Sequence, residues 1–150
     1  MEKNGEDVIT IIHITIITII HITIITIIHP HKGFITMSSV LDEINAFRAS
    51  YKIEPVERYN RVMSDYCQEH CWWMAGNDVL EHAPDWAIKG WKEAVAMCYF
   101  SGRWSDTIHC LIFEVLGQSE PHRKILLESK ELAYGIFQFK NKVWITVRGR

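Results

Sequence analysis

The 150-residue chain has no dominant charge: 16 Lys and Arg face 18 Asp and Glu, giving a net charge of −2 and a pI of about 6.4. Without a broad basic field, nucleic acid is not an expected partner. Nor does the chain contain a Cys-x-x-Cys, so Cys67, Cys71, Cys98 and Cys110 do not build a compact zinc knuckle. These four read as small buried apolar side chains or, in an oxidising compartment, as two disulfides. Cys67 and Cys71 lie four apart on an expected helix and share one of its faces. Charge is absent altogether from Val8 to Ile28, a run of 21 residues. The residues ahead of it include Glu2, Lys3, Glu6 and Asp7 rather than a basic n-region, and no small-residue cleavage site is evident, which argues against an ordinary secretory signal.

What is present is enough for one ordinary domain with a real core. Apolar residues make up 48% of the chain and charged residues 23%, the balance of a folded protein rather than a disordered one. Residues 1–36 stand apart as low-complexity sequence: ITIIHITI recurs with a period of eight, carrying His13, His21 and His29. As a helix, the uncharged run is long enough to cross a bilayer. Its β-branched residues favour a strand instead, with the histidines on one face and a tendency to aggregate. The third reading is a translated nucleotide repeat ahead of a start at Met37. The folded domain is therefore expected over residues 37–150.

Within it, Val40, Leu41, Ile44 and Phe47 follow helical spacing, with Ser39 and Asp42 placed as a capping box and an end near Ser50. A second helix is expected after Pro55, in its first turn. Its apolar face is read as Tyr59, Val62, Met63, Tyr66, Cys67, His70, Trp73 and Met74, with a stop at Gly76-Asn77. His70 reads as a packed core histidine. Leu80 to Gly90 is a loop and Ala94 to Tyr99 a buried strand. Ser105 and Asp106 cap a third helix that Gly117 ends, and Ser119 caps a short helix with Pro121 in its first turn. Leu132 to Phe139 and Val143 to Arg148 alternate around Asn141 as a β-hairpin. The fold class is α+β.

Chemistry concentrates in three segments: Leu80-Glu81-His82-Ala83-Pro84, Gly90-Trp91-Lys92-Glu93-Ala94-Val95-Ala96, and Ser119-Glu120-Pro121-His122-Arg123-Lys124-Ile125-Leu126. Two imidazoles and a carboxylate suit zinc and related divalent metals, and they also serve as general acids and bases.

These segments resemble the LEHSP, GENIA and SPGHRxNIL motifs of the CAP superfamily, the domain of cysteine-rich secretory proteins, antigen 5 and plant pathogenesis-related proteins, in its bacterial SCP-like branch. Leu41, Ile44, Asn45 and Arg48 resemble its opening LN..R segment, and Ala133-Tyr134-Gly135-Ile136 with Trp144-Ile145-Thr146-Val147 its closing hairpin. The resemblance implies an α-β-α sandwich with a small antiparallel sheet, and a cleft in which His82 and His122 can bind a divalent metal such as zinc, with no cofactor required for the fold. Glu93 matches the family's first glutamate. The second falls on Ser119 in the alignment, with Glu114 taking that role only if the alignment shifts. Ser119 reads as an N-cap or, as a catalytic alternative, a nucleophile beside His122.

Two functions follow. One is a binding module for a protein, peptide, glycan or lipid at the cleft, with Trp72, Trp73, Trp86, Trp91 and Trp104 either packed or forming an apolar rim. The other is a metal-assisted, peptidase-like hydrolase using His82, His122 and Glu93. The resemblance implies a secreted product, or a membrane-anchored one through residues 8–28; a start at Met37 implies a cytoplasmic one. N-terminal peptide mapping by mass spectrometry, paired with membrane fractionation, separates these. A first residue at Met37 removes the anchor, whereas residues 8–28 recovered in the membrane fraction establish it.

Overall fold

The computed structural model describes residues 37–84 and 90–150. The octad repeat, Trp86 and the 85–89 part of the loop lie outside them. In chain order the elements are α1 (Met37–Ser50), β1 (Arg58–Tyr59), α2 (Arg61–Asn77), β2 (Lys92–Tyr99) and α3 (Trp104–His109). A π-helical stretch (Cys110–Val115) and a 3-10 turn (Leu116–Gln118) follow, then α4 (Glu120–Glu128), β3 (Glu131–Phe139) and β4 (Lys142–Gly149). The strands form one sheet in the order β1-β3-β4-β2. The hairpin and β2 are antiparallel, as expected, while two-residue β1 adds a short parallel pairing to β3, which makes the sheet mixed.

Period-two alternation sends each strand's side chains to two covered faces. Ala94, Ala96, Leu132, Tyr134, Val143, Ile145 and Val147 pack against Val40, Ile44 and Phe47 of α1 and against Ile108, Leu111, Ile112, Leu116, Ile125 and Leu126. On the opposite face, Val95 and Trp144 meet Cys71, Met74 and Ala75 of α2, while Ala133 meets Cys67 and Trp91. Two helical layers around a sheet make this an α+β sandwich of the α-β-α kind.

α2 lies unusually close to β3 because Gly135 has no side chain. A Cβ there would stand 2.4 Å from the Gln68 backbone nitrogen and 2.5 Å from the Cys67 carbonyl carbon. β1 covers only the start of the β3 edge, so side chains of α2 take over beyond it. Ser64 Oγ accepts from Tyr134 N at 3.1 Å, and Gln68 Oε1 accepts from Ile136 N at 3.1 Å. An edge with unmet N–H groups is thereby closed.

Several helix boundaries differ from the sequence reading. α1 is already helical at Met37, so Ser39 lies inside it rather than capping it. Pro55 is not in α2's first turn. The chain stays extended through β1, and α2 starts at Arg61 because Asn60 is the cap, its Oδ1 accepting from Met63 N at 2.9 Å. Val62, Tyr66 and Trp73 lie on the exposed side of α2, and Ser64, Cys71 and Ala75 take the buried positions. Ser105 and Asp106 lie within α3, one turn of which is stitched by buried Thr107: its Oγ1 donates to Arg103 O and accepts from Ser101 N.

Gly135→Ala is expected to destabilise the domain by about 3 kcal/mol or more, the upper range of overpacking, because the obstruction is backbone that cannot rotate aside. Urea unfolding followed by tryptophan fluorescence measures it. Gly76→Ala, in open space on α2, should leave stability unchanged or slightly raised.

Candidate functional site

Three of the sequence-predicted residues converge where β2, an outer strand of the sheet, begins. Glu93 is one residue into β2 and only 3% exposed. Its Oε1 accepts from His82 Nδ1 at 3.0 Å and from the Ala83 backbone N–H at 2.9 Å. Its Oε2 accepts from Arg148 Nε at 2.9 Å and lies 2.9 Å from Nη2 of the same guanidinium in an ion pair. Arg148 is the register partner of Glu93 on β4 and is 1% exposed. Both side chains point to the α2 face, where Arg148 Nη1 also reaches Met63 Sδ at 3.3 Å.

His82 is held through the loop that carries it. α2 ends on Asp78 in the left-handed region at φ 52°, and Val79 N donates to Met74 O. Trp144 Nε1 donates to Val79 O at 3.0 Å, and the His70 ring bonds Glu81 O through Nε2 at 2.8 Å while stacking on Trp73. His70 is thus the packed core histidine expected, and its contact pins the residue beside His82. With Glu93 accepting at Nδ1, that nitrogen carries the proton of the neutral ring, and the lone pair lies on Nε2.

His122 comes from the other side of the sheet. α4 begins with Ser119 at the cap position and Pro121 in the first turn, though the Ser119 side chain makes no cap bond. At the far end, buried Arg48 donates to the carbonyls of Leu126, Leu127 and Ser129 at 2.8, 3.1 and 3.2 Å, which ties α4 to α1. The LN..R residues are therefore structural. Asn45 Oδ1 likewise accepts from Val56 N at 3.0 Å. His122 lies below its ordinary pKa of 6.5, first through burial and then through repulsion from His82.

The two histidines line a cavity of about 550 Å³ with Lys92, Glu93, Glu120, Pro121, Lys124 and Ile125. Ser119 is not among the lining residues; its carbonyl accepts from Arg123 N at 2.8 Å. Glu114 is exposed on the π-helical stretch and does not line the cavity. The tryptophans divide: Trp91 and Trp144 are buried, Trp104 packs on Phe100, and Trp72 and Trp73 are exposed on α2, away from the lining. Among the described residues, no group of three or more His, Cys, Asp and Glu side chains is gathered around a point that could hold a metal ion. The donor set is two imidazoles, one backed by a carboxylate, an arrangement that favours a ligating Nε2.

Arg148 escaped the sequence reading. Trp144, Thr146 and Arg148 share one strand face, and a charged residue on a face otherwise turned inward is the signal that marks it. Glu120, Lys92 and Lys124 were equally silent, since nothing in their spacing distinguishes a cleft wall from a solvated surface.

No protein-family model matches the chain, and no curated protein matches it in sequence. Solved structures do. An extracellular protein containing an SCP domain from Bacillus anthracis str. Ames superimposes with a TM-score of 0.55 at 20% identity, over 76% of this chain and 40% of that one. This chain thus spans less than half that protein's length. NaASP2, solved with Zn2+, matches with a TM-score of 0.54 at 13% identity, over 80% of this chain and 82% of that one. The hookworm platelet inhibitor gives 0.46 at 11% identity, over 81% and 74% of the two chains. The described residues have the SCP, or CAP, fold.

Arg148→Met should cost about 3–5 kcal/mol in chemical denaturation, because Glu93 is then left buried without its partner. A second outcome concerns pH. His122 binds its proton more weakly in the folded chain than in the unfolded one, so stability falls as pH drops from about 6.5 towards the folded pKa, and levels off below it. His122→Asn should flatten that slope in melting curves taken across pH.

Proposed function

We propose that the domain is an extracellular CAP-type binding module that takes its ligand in the cleft between β2 and α4, where His82 and His122 can hold a divalent metal. The carrying observation is the occupancy of Glu93. Oε1 already accepts from His82 and from Ala83 N, and Oε2 accepts from Arg148 Nε with Nη2 of the same guanidinium 2.9 Å away in an ion pair. A general base needs a lone pair aimed at the water it deprotonates. Glu93 instead holds His82 in one tautomer and one orientation. This supports binding over the hydrolase reading, in which Glu93 is the base. Ser119, outside the cavity lining, gives little support as a nucleophile.

The Bacillus anthracis protein of the same fold is extracellular and NaASP2 was solved with Zn2+, which supports both the compartment and the metal. Among the described residues no helix is long and apolar enough to cross a membrane, and the Val8–Ile28 run lies outside them. Two imidazole donors leave most of a zinc shell to water or ligand. Binding should therefore be weaker than at sites with three or four protein ligands. A cavity of about 550 Å³ admits a peptide segment, a sugar or a lipid headgroup rather than a whole protein surface.

Calorimetric titration of the full chain with zinc should show one site that disappears in His82→Ala plus His122→Ala. Glu93→Gln, checked for folding alongside, should weaken it by about 10–100-fold, the usual effect of removing the group that orients a ligand. Zinc binding indifferent to both histidines would remove the metal from the proposal. Turnover of peptide or ester substrates that is lost in Glu93→Gln would favour the hydrolase.

A further inference from the structure

We propose that Cys98 and Cys110 form a disulfide that ties β2 to the helical run leading into α4, while Cys67 and Cys71 remain thiols. Cys98 is the penultimate residue of β2 and projects to the same face as Ala94 and Ala96. There its Sγ meets the carbonyl of Thr107 in α3 at 3.9 Å. Cys110 follows Thr107 by three residues, one helical turn on, and its backbone N–H donates to the same Thr107 carbonyl that the Cys98 thiol meets. Both are free and only half-buried, so a small oxidant can reach them.

The other pair is placed quite differently. Cys67 and Cys71 have no exposed surface, sitting between α2 and the sheet. Cys71 is committed to the Gly135 carbonyl at 3.2 Å and to Thr146 Oγ1 at 3.4 Å. Burial pushes its thiol up to about 12 and raises that of Cys67 further still. Spacing puts Cys67 and Cys71 on one helix face and leaves the pairing open; the packing singles out Cys98 with Cys110.

The oxidant is a small-molecule disulfide such as glutathione disulfide. The thiolate of one cysteine, its proton lost to solvent, attacks a glutathione sulfur, forming a mixed disulfide and releasing one glutathione thiolate. The second cysteine's thiolate then attacks the protein sulfur of that mixed disulfide and expels the other glutathione. Two protein thiols are oxidised by two electrons, and one glutathione disulfide becomes two glutathiones. Burial raises both thiols, Cys98 to about 12, so exchange in the folded protein is slow. The bond joins the strand that carries Glu93 to the run that precedes His122, and so braces the cleft.

The test supplies its own oxidant and is therefore independent of whether the protein is extracellular. The full chain is equilibrated with glutathione disulfide, blocked with N-ethylmaleimide under denaturing conditions, digested and mapped by mass spectrometry. The expected result is one linked pair, Cys98 with Cys110, and alkylated Cys67 and Cys71. Four alkylated cysteines, or a link that includes Cys67 or Cys71, would overturn the proposal. Reducing the oxidised protein should lower its melting temperature by roughly 5–15 °C, the scale expected for closing so short a loop. C110S should melt with the reduced wild type and show no response to reductant; a response that persists in C110S would also count against the bond.

Discussion

The buried ion pair between Glu93 and Arg148 is the contact on which the candidate site rests. Taking both charges out of water costs several kcal/mol per ion, which mutual attraction offsets only when every remaining hydrogen-bonding position is filled. The two Glu93 oxygens take three hydrogen bonds and a further ion-pair contact, from a neighbouring strand, a loop backbone and an imidazole. The pair therefore works as a junction: it joins β2 to β4, seats the loop after α2, and sets the tautomer of His82 in one arrangement. An apolar pair of equal volume would pack as well, but would leave His82 without an acceptor.

The site is assembled from both helical layers, which explains how much of the structure serves to hold two rings. On one side, α2 is pressed onto β3 at Gly135, and its end is fastened by Trp144 and His70 before the chain reaches His82. On the other, Arg48 gathers three carbonyls at the end of α4 and so anchors the helix that begins beside His122. An exposed loop and a short helix would each be mobile alone. Fixing them from beneath gives two imidazoles a stable separation, the condition for recognising a ligand or a metal.

Much of this was legible in the chain. Alternation marked β3 and β4 to within a residue or two, because a strand covered on both sides still changes face at every step. The order of His82, Glu93 and His122 in matching local contexts pointed to the fold that the described residues have. The helix starts were read less well. Ser39, Pro55 and Ser105 are each chemically fit to begin a helix, yet α1 already includes Ser39, β1 keeps the chain extended past Pro55, and Thr107 stitches the start of α3. Local capping preferences amount to about 1 kcal/mol, and pairing of a neighbouring strand outweighs them. On α2 the apolar stripe was drawn through Val62, Tyr66 and Trp73, whereas the small residues Ser64, Cys71 and Ala75 face inward. Close approach to β3 favours small side chains over hydrophobic ones.

The sequence by itself determined the class of fold, the order of its helices and longer strands and the identity of three cleft residues, since these depend on periodicity and on motifs a few residues long. Only the tertiary structure decided what Glu93 touches, because its partner Arg148 lies 55 residues away and reaches it through strand register alone. Spacing admits Glu93 equally as a base and as a support; the donors around its oxygens favour the proposed support. The same holds for the cysteines, whose pairing follows from which helix packs on which face of the sheet, a long-range outcome that no local pattern encodes.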